Sequence, residues 1–558
     1  MDQKIENLLN ISLNATKEER EKSLNLDVGI NPIENQWEII VKQNQSLAFL
    51  EEKYPQTTVE ELLANYAIIT TQERYIEPIA NETAVDYVEK PKSLFFELSY
   101  SKIASCVYSS GERSAGFGGA GILTAVIDSG IDILNTAFQN ADGTTRIVEI
   151  WDQAANEIYT AEQINEAVRS GTRLAYDAGQ HGTNVALIAC GNDGVAYASD
   201  ILIVKLAPSQ RNSFPRTTEV MRAFDYVVKT AIQREQPVAV NLSLGNNYGS
   251  HDGTSILENY IDEISNVWRM VICVGTGNEG VRGTHHAGIL PSDTETAVEF
   301  SVGDYQTSIN FQIWKQYPDE IEVELISPSG RRIGPLRQID RLQRFNSGRT
   351  NILGYFGEPN PYSAIQEVYF DLIPVNEYID GGIWQIRLLP QRIVNGRYDI
   401  WLPSAVVLNE NTRFLDNSAN NTLTIPSTSR KAVSVGAYDS RRETYGDFSG
   451  RGIGELAYAG NYLYTKPDVV APGVDIILEA GRVGERSVTG TSFATPFVTG
   501  IAALLMEWGI IRGNDPYMYG EKVKASLWKG ARQLTGFLET PNNVTGWGAV
   551  CFRDSLPD

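Results

Sequence analysis

Residues 490–506 read GTSFATPFVTGIAALLM, a serine among small residues followed by a long apolar run. A run of small and apolar residues of this length predicts a buried helix. Ser492 falls at the predicted start of that helix, where unpaired backbone N–H groups and the positive end of the helix dipole can hold a developing anion. The simpler interpretation is that Thr491 or Ser492 only caps the helix. Other segments of the chain have to decide between a cap and a nucleophile.

Two further segments place polar side chains at the edge of a predicted α/β sheet. ILTAVIDSGID, residues 122–132, is an apolar strand that runs into Asp128, and GQHGTNVALIAC, residues 179–190, begins an apolar helix at His181. A carboxylate directly after a buried parallel strand lies at the carboxyl edge of the sheet, where open α/β folds build their sites. Each motif alone has a structural explanation, a strand-ending turn or a structural histidine. Together with Ser492, in the order Asp, His, Ser, they predict one site.

The pattern of apolar and polar residues changes three times along the chain and predicts four segments. Residues 98–284 and 426–558 alternate apolar strands with helical stretches, the βαβ pattern of a parallel sheet with helices on both faces. Residues 285–425 lose the helical period and show alternating segments such as TSINFQIW, which indicate an inserted antiparallel β-sandwich. Residues 1–97 are charged, with short strand-like and helical runs. The predicted fold class is α/β, with an N-terminal α+β domain and an inserted antiparallel β-sandwich.

Composition argues against several kinds of partner. The formal charge is −22 and is spread along the chain, so nucleic-acid phosphate and anionic membrane surfaces would be repelled. The N-terminal sequence lacks a basic region followed by an apolar stretch, so we expect no export signal and synthesis in the cytoplasm. The cysteines are far apart and are interpreted as reduced core residues: Cys106, Cys190, Cys273 and Cys551. The sequence therefore predicts a globular protein with no nucleic-acid or membrane partner.

Six segments resemble one protein family, in chain order. The runs AVIDSGID, HGTNVALIA, VNLSLG, GTGNEG, KPDVVAPG and GTSFATPFVTG are similar to those of the subtilisin-like serine proteases, the subtilases. The resemblance implies a subtilisin-like parallel sheet. It also implies Asp128, His181 and Ser492 as a catalytic triad in the Asp, His, Ser order of that family. The expected activity is that of a serine endopeptidase that uses no cofactor.

The chemistry gives each residue type a task. Ser492 becomes a nucleophile when His181 removes its proton, because an imidazole pKa of about 6.5 lies near working pH, and Asp128 stabilises the imidazolium. By resemblance, the Ser492 backbone N–H and the Asn278 side chain donate to the tetrahedral oxyanion. A protein substrate would bind as an extended strand with its P1 side chain in a pocket. The resemblance assigns the strand to Ser243, Leu244 and Gly245 and the pocket to Gly275, Thr276 and Gly277, positions that ordinary sheet packing would explain equally well.

The N-terminal segment is similar to a subtilase propeptide. Residues 1–97 have the size of such a propeptide, and VDYVEKPKSLFFELSY resembles the end that enters the active site before self-cleavage. The expected cut falls near Phe96 or Glu97, and the cleaved propeptide could stay bound without a covalent link. A separate binding module is the alternative interpretation of this segment.

One departure from the family pattern concerns metal. Many secreted subtilases carry a calcium loop after the histidine helix, but here Cys190, Gly191 and Asn192 lead almost directly to GVAYASDILIVKL. Too few oxygen ligands are expected for that site. We therefore expect no metal there.

The N-terminal segment, the β insert and the missing export signal most resemble the clostridial Csp proteases, and this resemblance implies a jelly-roll-like insert. Those proteases cleave the zymogen of a spore cortex-lytic hydrolase during germination, so the resemblance implies limited proteolysis and a spore-associated location. A related gut-bacterial subtilase with another substrate is the nearest alternative. Some members of the group have lost triad residues and act as germinant-sensing pseudoproteases. That second functional class is disfavoured by the intact catalytic positions of this chain.

Overall fold

The N-terminal part of the chain folds as an antiparallel sheet with helices. The structure, a computed structural model, describes residues 4–31, 34–96, 108–109, 112–113, 116–208, 214–339, 341–453, 465–479 and 485–557. The elements of this N-terminal domain are α1 (Asn7–Asn14), α2 (Lys17–Lys22), β1 (Ile30–Asn31), β2 (Gln36–Gln43), α3 (Phe49–Lys53), β3 (Thr58–Leu62), β4 (Tyr66–Gln72), α4 (Glu73–Ala80) and β5 (Val85–Glu89). Strand β2 pairs with β1, β4 and β5, and β4 pairs with β3, all antiparallel.

Both faces of this N-terminal sheet are covered. Trp37, Ile39 and Val41 of β2 pack in a cluster with apolar residues of α1, α3 and α4. Ile40, between them, packs instead in a cluster that belongs mainly to the α/β domain. Successive side chains of a strand point to opposite faces. The sheet therefore lies between its own helices and the rest of the protein.

The chain next forms the first half of the α/β domain. It follows β6 (Phe95–Phe96), which ends the N-terminal domain. Its elements are β7 (Tyr108–Ser109), β8 (Glu112–Arg113), β9 (Leu123–Asp128), β10 (Ile147–Asp152), β11 (Glu157–Thr160), α5 (Ala161–Ser170), α6 (His181–Cys190), β12 (Asp200–Lys205), α7 (Thr217–Gln233), β13 (Val238–Leu242), β14 (Leu244–Gly245), α8 (Ile256–Ile264) and β15 (Met270–Gly275). Every residue of β9, β13 and β15 is buried. Burial on both faces explains why these strands are nearly continuous apolar runs.

An antiparallel sandwich follows. Its strands are β16 (His285–Ile289), β17 (Thr296–Val302), β18 (Ile309–Gln316), β19 (Glu320–Ile326), β20 (Arg332–Leu336), β21 (Gln343–Ser347), β22 (Thr350–Phe356), β23 (Ile365–Pro374), β24 (Gly382–Arg392), β25 (Arg397–Trp401) and β26 (Arg413–Phe414). One sheet has the order β16-β25-β18-β23-β22-β21 and the other β20-β19-β24-β17-β26. Phe311 and Phe370 from the first sheet share a core with Phe300 and Trp384 from the second. The predicted β-sandwich insert is confirmed.

The α/β domain resumes after the insert. Its elements are β27 (Val433–Asp439), β28 (Thr444–Tyr445), β29 (Val469–Pro472), β30 (Ile476–Glu479), β31 (Glu485–Val488), α9 (Thr491–Met506), α10 (Glu521–Gly530) and α11 (Phe552–Ser555). A π-helical turn, Glu507–Ile511, extends α9. By length and composition the helix Thr491–Ile511 could cross a membrane, but 78% of its most apolar window is buried inside the protein. It is the core helix that the sequence predicts.

The central sheet brings the predicted site residues to one edge. Within the described residues its order is β11-β10-β12-β9-β13-β15-β27-β28, and β29 pairs with β27. Neighbours from β10 to β27 are parallel, whereas the edge strands β11 and β28 are antiparallel. Helix α9 packs on β13, β15 and β27, and α7 and α8 pack in the cluster on the opposite face. The predicted α/β fold class is confirmed.

Three of the cysteines lie in these cores. Cys190, Cys273 and Cys551 are buried and form no disulfide. Burial raises the pKa of the Cys190 and Cys273 thiols to about 12, so both stay protonated at neutral pH. The prediction of reduced core residues is confirmed for these three, while Cys106 lies outside the described residues.

Candidate active site

Asp128 and His181 meet at the carboxyl edge of the central sheet. Asp128 is the last residue of β9, and His181 is the first residue of α6. His181 Nδ1 lies 2.7 Å from Asp128 Oδ1, and both side chains are buried, 3% and 1% exposed. The Ser129 N–H also donates to Asp128 Oδ1, at 2.7 Å. A proton on Nδ1 that is donated to the carboxylate makes Nε2 the basic nitrogen of the ring.

Ser492 lies in the first turn of α9, which contacts His181 through Phe493. The rings of His181 and Phe493 have centroids 5.5 Å apart, which brings the imidazole against this turn. Ser492 Oγ donates to the Ser243 carbonyl oxygen at 3.3 Å, and Ser243 Oγ donates to the Ser492 carbonyl oxygen at 3.1 Å. Asn241 Nδ2 in turn donates to Ser243 Oγ at 2.9 Å. The structure thus joins the predicted serine to the predicted substrate strand.

Asn278 lies at the N-terminus of α9. Its Oδ1 accepts a hydrogen bond from the Thr491 N–H at 3.2 Å, and the Gly277 N–H donates to Thr491 Oγ1 at 3.2 Å. Because the amide oxygen is engaged, Nδ2 is the end of this side chain that can donate to an oxyanion. The positive end of the helix dipole lies at the same place.

A segment of the chain itself runs along the predicted substrate strand. Strand β6 pairs antiparallel with β14, with Leu244 opposite Phe96 and Gly245 opposite Phe95. On the other side, the Leu94 N–H donates to the Pro215 carbonyl oxygen at 2.8 Å. The end of the N-terminal domain therefore lies between β14 and residues 215–216.

Residues 215–216, which contact this segment on the side away from β14, have no recognisable signal in the sequence. Ser93 forms a bridge to Arg216, on the same side as Pro215. On the β14 side, Asn246 Nδ2 donates to the Ser93 carbonyl oxygen at 2.7 Å. Of the two expected cleavage positions, Phe96 is in β6, and Glu97 lies outside the described residues.

Thr424 contacts two of the predicted pocket residues, Thr276 and Gly277, and also Gly245 of the predicted strand. A Cβ on Gly277 would lie 2.4 Å from Thr424 Cγ2, and one on Gly245 would lie 2.5 Å from Thr424 Oγ1. Gly277 also has φ +90°, a conformation that disfavours other residues. The Thr424 N–H donates to the carbonyl oxygen of the buried Thr276 at 3.0 Å, while Gly275 faces the threonines of α9. Both glycines let Thr424 enter between the two predicted binding segments, a role that local sequence does not reveal.

Asp177 braces the histidine and was not predicted. It is fully buried, and its Oδ2 accepts from the Thr183 N–H and Thr183 Oγ1, both at 2.8 Å. Its Oδ1 accepts from Ser129 Oγ at 2.9 Å. Asp177 therefore ties the turn after Asp128 to the helix of His181. The only sequence signal is an aspartate four residues before a helix-start histidine.

The loop between α6 and β12 gathers oxygen atoms around an arginine. Arg146 Nη1 donates to the Cys190 carbonyl oxygen at 2.7 Å and to Asn192 Oδ1 at 3.0 Å. Its Nη2 donates to the carbonyl oxygens of Ser199 at 2.9 Å and Ala196 at 3.4 Å. The oxygens of this loop thus bind a guanidinium, a feature that sequence reasoning missed. In the part of the chain that the structure describes, no group of three or more His, Cys, Asp or Glu residues is placed to hold a metal ion.

These features define a subtilisin-like protein with an aspartate, a histidine and a serine at one edge of its sheet. The Subtilase family model matches residues 119–323 and 407–548, more than half of the chain. The chain therefore belongs to the subtilase family. Residues 3–92 match the Csp protease B prodomain family. The predicted resemblance to subtilases and to Csp proteases is confirmed.

Solved structures agree with this assignment. The Clostridium perfringens CspB protease is 36% identical, with a TM-score of 0.75, and the match covers 81% of this chain and 95% of that one. Fervidolysin from Fervidobacterium pennivorans, a keratinolytic enzyme related to subtilisin, is 15% identical, with a TM-score of 0.50 and coverage of 93% and 61%. At that identity fervidolysin supports the fold alone.

Similarity to curated relatives is confined to part of the chain. The serine protease AprX of Bacillus subtilis is 33% identical over 156 residues, which cover 24% of this chain and 32% of AprX. Subtilisin-like protease SBT6.1 of Arabidopsis thaliana is 32% identical over 121 residues, 22% of this chain and 12% of that protein. The chain thus spans about a third or less of the length of these relatives.

Proposed function

We propose that the chain is a serine endopeptidase whose triad is Asp128, His181 and Ser492. Ser492 Oγ attacks the carbonyl carbon of the scissile bond while its proton passes to His181 Nε2, and Asp128 stabilises the imidazolium. The peptide C–N bond then breaks as His181 returns that proton to the leaving amine. Water repeats the sequence on the acyl ester and restores Ser492. The 2.7 Å contact between His181 Nδ1 and Asp128 Oδ1 supports these roles.

The proposed oxyanion donors are Asn278 Nδ2 and the backbone N–H of Ser492. The bond from the Thr491 N–H to Asn278 Oδ1 holds the amide at the start of α9, where the helix dipole favours negative charge. Ser492 Oγ donates to Ser243 O over 3.3 Å, a long bond that breaks when the hydroxyl turns toward His181. Catalytic hydrogen bonds commonly tighten only in the reacting complex.

The observation that carries the proposal is the pairing of β6 with β14. Phe96 lies opposite Leu244 of the strand that we propose for an extended protein substrate. The Ser243 carbonyl oxygen, next to Leu244, accepts from Ser492 Oγ. We therefore propose that the chain cuts itself near Phe96 or Glu97, and that the N-terminal domain is its propeptide.

We further propose that the cleaved propeptide stays bound and blocks the cleft. Arg222 of α7 binds two propeptide carboxylates, Glu60 at 2.7 Å and Glu38 at 3.0 Å. On the insert side, Arg344 lies 2.5 Å from Glu19. A segment held on two sides dissociates slowly, because both sets of contacts must open together.

The proposed biological role follows from the similarity to the CspB protease. We propose limited proteolysis of a protein zymogen, such as a spore cortex-lytic hydrolase, by a spore-associated enzyme. Immunodetection of the chain in purified spores, with vegetative cells as the comparison, tests the location. Germination of a strain that carries only Ser492→Ala tests the role, and normal germination of that strain would contradict it.

Self-cleavage is tested with Ser492→Ala and intact-mass spectrometry of purified protein. We expect the parent chain to separate into a fragment ending near Phe96 or Glu97 and the remainder, and Ser492→Ala to stay full length. Ser487→Ala, an exposed serine on β31, serves as the matched control and should be cut like the parent.

The outcomes separate the two functional classes. Cleavage of Ser492→Ala at the same bond would show that another protease does the cutting. A parent chain that stays intact under every folding condition would instead favour a pseudoprotease. Co-elution of the two fragments on gel filtration tests retention, and separate elution would contradict it.

A further inference from the structure

The residue after Asn278 is held by the inserted sandwich. Glu279 is buried, and its Oε2 accepts from Thr284 Oγ1 at 2.9 Å. The Ala405 N–H donates to both carboxylate oxygens, each at 3.2 Å. Thr284 immediately precedes the first strand of the sandwich, and Ala405 begins a short turn after β25. The carboxylate therefore joins the loop of Asn278 to the start of the insert and to the turn after β25.

The same part of the insert supports the substrate strand. Asn247, two residues after Gly245, donates from Nδ2 to the Leu402 carbonyl oxygen at 3.3 Å. The Leu402 N–H donates to the Thr284 carbonyl oxygen at 2.8 Å. The Asn247 side chain also lies beside the Glu279 carboxylate. One patch of the insert, formed by Thr284, Leu402 and Ala405, thus contacts both the loop of Asn278 and the segment that follows β14.

Burying a carboxylate at this position has a cost. Burial raises the pKa of Glu279 above its ordinary value, although hydrogen bonds from Thr284 and Ala405 lower it in part. A buried carboxylate is costly unless hydrogen bonds or nearby charges offset its desolvation, and here the charge of Arg282 adds to the hydrogen bonds. The location of Glu279 beside Asn278 provides another reason for its presence.

We infer that Glu279 is a positioning residue for the oxyanion hole and connects Asn278 to the inserted domain. Consecutive Cα atoms are about 3.8 Å apart, so a displacement of Glu279 moves Asn278 as well. Other ties of this loop include the Asn278 bond to Thr491, the Gly277 N–H bond to Thr491 Oγ1 at 3.2 Å and the bond from the Gly280 N–H to the Phe448 carbonyl oxygen at 2.9 Å. Misplacement of a catalytic group by about 1 Å costs about 10²-fold in rate. The insert therefore takes part in setting the geometry of the proposed reaction.

The test is the first-order rate of self-cleavage in the refolded full-length chain. The tethered propeptide is the substrate, so the rate reports the chemical step without a binding step. We expect Glu279→Ala to slow cleavage about 10- to 100-fold. Glu279→Gln should retain most of the rate, because an amide can still accept from Ala405 and bridge to Thr284. Folding of each variant is followed separately by tryptophan fluorescence in the Ser492→Ala background.

A double-mutant comparison distinguishes positioning from general destabilisation. Asn278→Ala alone should slow cleavage by about 10²- to 10³-fold. Glu279→Ala added to Asn278→Ala should slow it less than about twofold more, because the group that Glu279 positions is already gone. A product of the two single effects, or a Glu279→Ala rate within twofold of the parent, would overturn the inference.

Two further variants complete the design. Thr284→Val removes the hydroxyl that donates to Glu279, so it should slow cleavage in the parent but not in Glu279→Ala. If Glu279→Ala does not fold, Thr284→Val alone tests the contact between Glu279 and the insert. Asp252→Asn is the matched control, because Asp252 accepts from Ser363 Oγ of the insert at 2.8 Å without being placed at the oxyanion hole. Its rate should match that of the parent, and a loss equal to that of Glu279→Ala would overturn the inference.

The inference rests on the proposed function, and the two fail differently. Cleavage of Ser492→Ala would contradict both the proposed function and the role of Glu279. A parent chain that cuts itself, with Ser492→Ala intact and Glu279→Ala at the parent rate, would remove only the role of Glu279.

Discussion

Asp177 shows how one buried side chain can orient a catalytic pair. It accepts hydrogen bonds from Ser129, next to Asp128, and from Thr183, two residues after His181. The Gly182 N–H also donates to Ser129 Oγ at 3.1 Å, so the strand end and the helix start are linked twice. Neither Ser129 nor Thr183 can shift without breaking a bond to the same carboxylate.

We expect Asp177→Ala to lower both stability and the rate of self-cleavage. The substitution leaves the buried Thr183 N–H without its acceptor, and an unpaired buried donor costs about 1–3 kcal/mol. The loosened His181 helix should slow cleavage by up to about 10²-fold. Urea unfolding in the Ser492→Ala background measures the first effect, and the refolding assay measures the second. A variant with parent-like stability and rate would show that the other contacts suffice.

Oxygen atoms of the loop between α6 and β12 are bound by a guanidinium from another part of the chain. Arg146 precedes β10, yet its guanidinium holds four oxygen atoms of residues 190–199. Burial lowers the pKa of this arginine, but it remains charged at neutral pH because its ordinary pKa is far above 7. Fork-shaped donors suit such a set of acceptors, since five N–H groups diverge from one planar group.

We expect Arg146→Met to destabilise the protein by about 3 kcal/mol or more. Each hydrogen bond to a charged group contributes about 1.5–3 kcal/mol, and the substitution leaves several loop carbonyls without this donor. Arg146→Lys should lie between the parent and Arg146→Met. Urea unfolding in the Ser492→Ala background gives the values, and Arg392→Met, at an exposed strand end, is the control with a change below about 0.5 kcal/mol. Equal stability of Arg146→Met and Arg392→Met would contradict the role of the guanidinium.

At the scale of the whole molecule, the N-terminal domain lies between the α/β domain and the insert. Asn7 Nδ2 donates to Glu367 Oε2 of the insert at 3.3 Å. Burial, with help from the nearby Glu6 carboxylate, raises the pKa of Glu367 to about 7. Glu89 and Glu6, nearby, both pair with Lys92, at 2.8 Å and 2.7 Å. Glu367 is therefore the carboxyl group of this junction that we expect to titrate near neutral pH.

We expect the junction to be less stable at higher pH, and Glu367→Gln to remove part of that dependence. Since the folded-state pKa is raised, the contribution of Glu367 is fully present below about pH 4.5 and is lost as the pH rises through about 7. The difference between those pKa values corresponds to about 3 kcal/mol at most. Glu367→Gln should thus change stability little at pH 5 and raise it by up to about 3 kcal/mol at pH 8.

Urea unfolding of Ser492→Ala protein at the two pH values measures this effect. Glu299→Gln, an exposed carboxyl group on β17, is the control and should show the same small change at both. If Glu367→Gln altered stability equally at pH 5 and pH 8, the raised pKa would not be the cause.

Much of the fold and of the candidate site could be predicted from local sequence. The strand that ends at Asp128 and the helices that begin at His181 and Ser492 carry their signals within about ten residues each. Apolar runs and alternation also predicted the parallel sheet and the sandwich, because each reflects how many faces of an element are buried. The order of the motifs then indicated the family.

The sequence by itself determined which residues begin and end these elements, and the tertiary structure alone decided what supports them. Glu279 and Ala405 are 126 residues apart, and Arg146 lies 44 residues from the Cys190 carbonyl that it binds. One partner in each pair is a backbone group, the Ala405 N–H or the Cys190 carbonyl, and because nearly every residue carries such groups, no residue pattern marks them. Hydrophobic periodicity is a property of one element, whereas a buried hydrogen bond between distant segments exists only once packing has brought its two partners together.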